Sequence, residues 1–228
     1  MEVMSNSYFR IKSKFLFLTF CIFFPLFSIC QVDTTGKVRY TLAYLFKNGL
    51  YVTFDKVLLN DPMPFERIIS GNKNNDNWLD LALKTDKIIF LDDFGVQQTL
   101  NTKDVWGYCN NGSLFVNWSN EFYRIPYIGR ISHYVATQTV RNDYFADPYY
   151  GYTPGMYPSY ETSKVIQNII DFESGKSFPF TLETVQAFLM KDVKLFEEFN
   201  QLKKNKKKQM MFMYIRRFND RNPLYLPQ

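Results

Sequence analysis

The chain has 228 residues, 46% of them hydrophobic, with 27 Lys and Arg against 22 Asp and Glu. This composition folds, and it excludes disordered and collagen-like chains. Ten Gly and a single His leave glycine-rich phosphate cradles and histidine-rich metal sites short of material, whereas 23 Phe, 16 Tyr and 3 Trp are a surplus.

Residues 1–14 carry Arg10, Lys12 and Lys14 with one acid, Glu2, and an uncharged run of 15 residues, Phe15 to Ile29, follows. A basic segment before an apolar one reads as a secretory signal. The run falls short of the roughly 20 residues that span a bilayer core, and Pro25 lies near its end. Cleavage after Cys30 leaves Gln31 as the new N-terminus and predicts a periplasmic or secreted protein. The competing route is lipidation at Cys30, for which Ile29 is a poor preceding residue. The processed chain carries 24 bases and 21 acids, a net of +3, and Cys109 is its one cysteine. No internal disulfide can form, but a chain of this size buries a core without one.

In the segment Lys37–Phe54, two β-rich runs flank Asn48-Gly49, which predicts a hairpin. Thr53 then starts a short helix, with Asp55 in its first turn and Val52 and Val57 placed as a hydrophobic staple, and Asp61-Pro62 stops it. Ser70–Asn77 reads as a polar loop. Lys87–Leu91 and Val96–Leu100 are strands about the turn Asp92-Asp93-Phe94-Gly95. From Val105 to Pro126 a meander turns at Asn111-Gly112 and again at Ser119-Asn120. Leu114, Val116 and Trp118 alternate with Phe115 and Asn117, and both faces carry apolar groups, so the sheet is covered on much of both sides. Ile128–Thr139 is a further strand.

Asp143–Glu161 interleaves six Tyr and one Phe with three Pro and two Gly, an extended surface loop rather than a regular element. Lys164–Phe172 is a strand. Thr181 repeats the Thr53 pattern, with Glu183 in the first turn and Phe180 and Val185 as the staple. Helices are predicted over Leu182–Lys191 and Val193–Phe218. The expected architecture is α+β, one mostly antiparallel sheet of hairpins and meander with a short helix and a helical C-terminal segment. A signal peptide at 1–30 precedes a β-rich domain at 31–180, and the helical segment 181–228 packs on that domain.

Cys109 and His133, the one thiol and the one imidazole of the processed chain, are the candidate nucleophile and base of a periplasmic hydrolase. As a strand residue, Cys109 also suits a small apolar filler. Asp92-Asp93 and Glu197-Glu198 are the candidate paired carboxylates, although adjacent residues of one strand or helix point apart. Zinc spacing is missing, Asn72–Asp80 lacks the ligand pattern of a calcium loop, and no cofactor is implied.

The strongest charge feature is Lys203–Lys208, KKNKKK. Between Val193 and Asp220 stand eight bases and three acids, and the rest of the processed chain carries −2. Leu195, Phe199 and Leu202 before the lysines, and Met210, Met213 and Tyr214 after them, keep helical spacing, which predicts one amphipathic helix with a fully polar centre. A lysine run serves as a solvated face or as a contact for anionic lipid headgroups or acidic polysaccharide; export makes nucleic acid a rare partner.

Gln31 after the cleavage site, Val105-Trp106-Gly107-Tyr108 with the Asn-Gly turn that follows, and the closing segment Tyr214–Tyr225 resemble uncharacterised exported proteins of Bacteroidota-type bacteria. The resemblance touches most of the processed chain and carries no activity and no catalytic residues. The expected function is therefore non-catalytic contact at the cell envelope, through the Tyr-rich loop Asp143–Glu161 and the lysine helix, with a Cys/His or paired-carboxylate hydrolase as the alternative.

Overall fold

A computed structural model describes residues 36–75, 77–142 and 160–228. In chain order these form β1 (Lys37–Arg39), β2 (Gly49–Tyr51), α1 (Phe54–Leu58), α2 (Trp78–Leu83), β3 (Lys87–Leu91), β4 (Gln97–Asn101), β5 (Gly107–Asn110), β6 (Ser113–Trp118), β7 (Glu121–Arg124), β8 (Ile131–Asn142), β9 (Tyr160–Asp171), β10 (Ser177–Pro179), α3 (Leu182–Leu189), α4 (Val193–Asn200), α5 (Lys204–Arg221) and β11 (Tyr225–Pro227). Every strand pairing among them is antiparallel. The fold is α+β and dominated by sheet, and Gly36–Gln228 is one compact unit.

The two Asn-Gly pairs behave differently. At Asn111-Gly112 both residues take positive φ, 48° and 72°, and β5 turns directly into β6. At the other, Gly49 also has positive φ, 145°, but it opens β2 instead of closing a hairpin. The predicted Lys37–Phe54 hairpin is absent: β1 pairs with β11 at the far end of the chain, and β2 pairs with β5. A Cβ at Gly49 would collide with the Met63 carbonyl. That close approach lets Leu50 and Met63 exchange backbone hydrogen bonds at 2.8 and 2.9 Å, so the glycine serves strand-to-chain contact rather than a turn.

Period-two alternation sends neighbouring strand residues into different cores. In the sheet β2-β5-β6-β7, Tyr51, Cys109, Leu114 and Val116 face one core, while Leu50, Tyr108 and Phe115 face a second, closed by Leu79 and Leu83 of α2 and Ile88 of β3. The sheet β10-β9-β8 divides in the same way. Tyr134, Ala136 and Ile170 join the first core, and Ile131 and Ile169 join Val185, Leu195, Phe199, Ile215 and Phe218 of the helices in a third. The two sheets thus pack against each other, and each has a second cover outside it. A fully buried Leu, Ile or Phe is worth about 1.5–3 kcal/mol, so these three cores hold the layers together, and the exposed ion pairs are a minor supplement.

The helices depart from expectation in two places. Helix α2 falls between the loop ending at Asn77 and the strand starting at Lys87, where the sequence predicts no element; its six residues bury Leu79, Ala82 and Leu83, too few turns to show a periodic stripe. The single helix Val193–Phe218 is two helices, because Gln201 ends α4 and Lys203 is extended at φ −62° and ψ 148°. The break folds α4 back on α5, bringing the Phe199 and Tyr214 rings to 4.8 Å. Thr181 caps α3 as expected, accepting from the Thr184 amide at 3.2 Å. Thr53 precedes α1 without a side-chain cap bond.

Candidate functional site

Cys109 and His133 are not assembled into a pair. Cys109 is fully buried; its thiol donates to the Phe46 carbonyl at 3.5 Å and lies 3.9 Å from Asn48 Oδ1. Burial pushes the thiol up to about 11, against a smaller opposing effect of the Gly112 backbone. The thiolate a nucleophile needs is therefore scarce at neutral pH. His133 lies in the other sheet, with a ring nitrogen 3.3 Å from Gln167 Oε1 and its ring between Phe180 and Phe212, at centroid distances of 5.4 and 5.3 Å. Burial lowers its pKa.

The carboxylate pairs have separate duties. Asp92 builds its turn, accepting from the Phe94 and Val96 amides at 2.9 Å each and from Gln98 at 3.2 Å. These bonds, the Val96 amide foremost, hold its carboxyl below the usual range. Asp93 pairs with Arg67, and Glu198 pairs with Arg217 at 2.6 Å; Glu197 is exposed. A cleft of about 360 Å³ opens beside Asp61, Asp92 and Asp93 over Leu50 and Met63. Asp61, hydrogen-bonded to Lys56, is also lowered, so neither it nor Asp92 is held protonated as a general acid. Among the described residues no group of three or more His, Cys, Asp or Glu side chains is placed to hold a metal ion. The Tyr-rich segment lies outside the described residues except for Tyr160 and Glu161, which begin β9.

The lysine run is placed more informatively. Lys204, Lys206, Lys207 and Lys208 occupy the first turns of α5, and Lys203 immediately precedes it. Four of the five are exposed. Lys207 donates to Asn200 Oδ1 at 3.0 Å and lies 5.8 Å from the Phe199 ring centroid, and the same Asn200 oxygen accepts from Gln186 at 2.8 Å. Among the described residues none of the five forms an ion pair with a carboxylate. Glu183 is the nearest influence: its own backbone amide and Thr181 lower its carboxyl first, and Lys204 and Lys208 lower it further. The first turn of α5 holds no acid.

Farther along α5 a half-buried aromatic ridge adjoins the lysines. Phe180, His133, Phe212 and Tyr127 follow one another at centroid distances of 5.4, 5.3 and 5.7 Å. Arg216 covers Phe212 at 4.8 Å and Tyr127 at 5.7 Å. The lysines form a local pattern in the sequence, whereas the members of this ridge come from four separate segments that no local pattern joins. Comparison with family models, curated proteins and solved structures finds no match to this chain. Among the described residues no helix is long and apolar enough to cross a membrane.

Proposed function

We propose that this is an exported, non-catalytic protein that works by contact at the cell envelope, and that the Lys203–Lys208 end of α5 meets an anionic partner there. The observation that carries this reading is the concentration of five lysines, without a carboxylate partner among the described residues, at the positive pole of an eighteen-residue helix. A cation at that pole opposes the helix dipole at a cost of about 0.3–1 kcal/mol. Within α5, Lys204 with Lys208 at i,i+4, and Lys204 with Lys207 at i,i+3, add repulsion of a few tenths of a kcal/mol per pair, roughly. An anion bound here offsets both costs. Export is supported by the basic segment and uncharged 15-residue run at the start of the chain, and the contact role by the burial of Cys109 away from His133.

The test is fractionation of cells producing the wild type or the triple variant Lys206→Glu, Lys207→Glu, Lys208→Glu. The wild type is expected with the envelope and released by salt, and the variant is expected in the soluble exported fraction. Equal distribution of the two would remove the lysine contact. Recovery of both in the cytosol, with Met1 retained, would remove export as well.

A further inference from the structure

We infer that the anion this surface meets is an acidic polysaccharide, lying along the row Lys208–Phe212–Arg216 of α5 and onto the exposed face of β8 and β9. The inference rests on the polyanion reading above and names the chemistry of the partner.

Residues four apart on a helix form one line, and the rise of about 1.5 Å per residue spaces them about 6 Å apart, near the length of one sugar ring. Lys208 and Arg216 therefore stand one turn to either side of Phe212, Arg216 drawn over its ring at 4.8 Å, and give a chain of charged sugars two cations beside one aromatic. Phe212 takes no part in the helical core; its ring contacts are His133, Tyr127 and Arg216. The part of this half-buried ring that Arg216, His133 and Tyr127 leave uncovered offers apolar contact to the C–H groups of a sugar ring.

The neighbouring sheet face continues this surface. Alternation puts Val135, Thr137 and Thr139 of β8 on the face that carries His133, and their register partners Gln167, Val165 and Ser163 of β9 lie on the same face. Val135 is 44% and Val165 66% exposed, and the threonines and the serine are exposed beside them. Two contacts set the helix direction: Asn219 bonds to Ile131, and Phe212 lies on His133. Helix α5 therefore runs against β8, and its lysine end lies towards this hydroxyl-bearing strip.

Polyphosphate engages the cations but makes no use of an adjoining ring, and a lipid surface would take up the ring and the valines but has no use for the row of hydroxyls set among them. A chain of sugars bearing carboxylates uses all three.

The test measures binding of the processed chain to polygalacturonate, polyphosphate and phosphatidylglycerol vesicles at matched charge and ionic strength. Polygalacturonate should bind tightest. Phe212→Ala should weaken it about tenfold, the equivalent of about 1.4 kcal/mol, while changing polyphosphate binding less than about twofold, and Phe212→Tyr should restore it. Val165→Ser, at a position 66% exposed, removes apolar surface without changing charge, should act like Phe212→Ala and guards against a folding defect at the helix. Tighter binding of polyphosphate or vesicles, or unchanged polygalacturonate binding in both variants, overturns this inference and leaves the polyanion reading standing. Loss of no ligand on charge reversal of Lys206, Lys207 and Lys208 overturns the polyanion reading itself.

Discussion

The side-chain amide of Asn219 bonds both backbone groups of Ile131, accepting from its N–H at 2.9 Å and donating to its C=O at 2.8 Å. The last turns of α5 are thereby locked to the first residue of β8, and the room comes from Gly129, where a Cβ would strike the Asn219 amide. Both residues are buried, and each buried backbone group left without its partner costs about 1–3 kcal/mol. Asn219→Leu is therefore expected to lose about 3 kcal/mol in urea unfolding, and Asn219→Asp, which keeps only the acceptor, to lose a similar amount. A loss below about 1 kcal/mol would show that packing alone orients the helix.

Asp192 joins the two ends of the helical layer. It caps α4 by accepting from the Leu195 amide at 3.3 Å, and it takes two bonds from Arg221 at the end of α5, at 2.5 and 3.1 Å. The Arg221 guanidinium, foremost, holds the Asp192 carboxyl below its usual value. A depressed carboxyl stabilises the fold above the unfolded pKa of about 4, and that contribution fades as pH falls through the folded pKa. Asp192→Asn should thus be less stable than the wild type at pH about 6, with the gap narrowing towards pH about 3. A gap independent of pH would mean that the charge on Asp192 does not matter. Asp61, Asp92 and Glu183 are lowered as well, but they are common to both proteins and cancel in the difference.

Cys109 should be chemically quiet. With its thiol near 11, roughly one molecule in three thousand is thiolate at pH 7.5, against about one in ten for a free cysteine. Reaction of the processed chain with an aromatic disulfide should be at least about 100-fold slower in buffer than in denaturing urea. Cys109→Ala should keep any envelope association while costing about 1 kcal/mol of stability. Fast labelling of the folded protein would revive the thiol hydrolase.

Elements built from local signals were legible: the β5–β6–β7 meander turns where Asn111-Gly112 and Ser119-Asn120 place positive φ, and α3 begins at the Thr181 cap. Where partners are remote, local signals misled. Lys37–Arg39 carries a strand pattern, but its partner is Tyr225–Pro227, so Asn48-Gly49 had no neighbouring strand to turn into. The α4–α5 break has no Gly or Pro to mark it, and Leu202 falls in step with the helical stripe across it. Of the candidate site, the lysines were visible because charge is a composition signal. Phe212 beside His133 was not, since that contact exists only once α5 lies against β8.

The most direct measurement is the affinity of the processed chain for an acidic polysaccharide across a salt series from about 50 to 500 mM, where the screening length falls from above 10 Å to below 5 Å, roughly. The wild type should bind at low salt and release steeply as salt rises, and the variant with Lys206, Lys207 and Lys208 reversed to Glu should show little binding at any salt. Binding by that variant with wild-type affinity and the same salt slope would contradict the assignment of the lysine end of α5 as the contact surface.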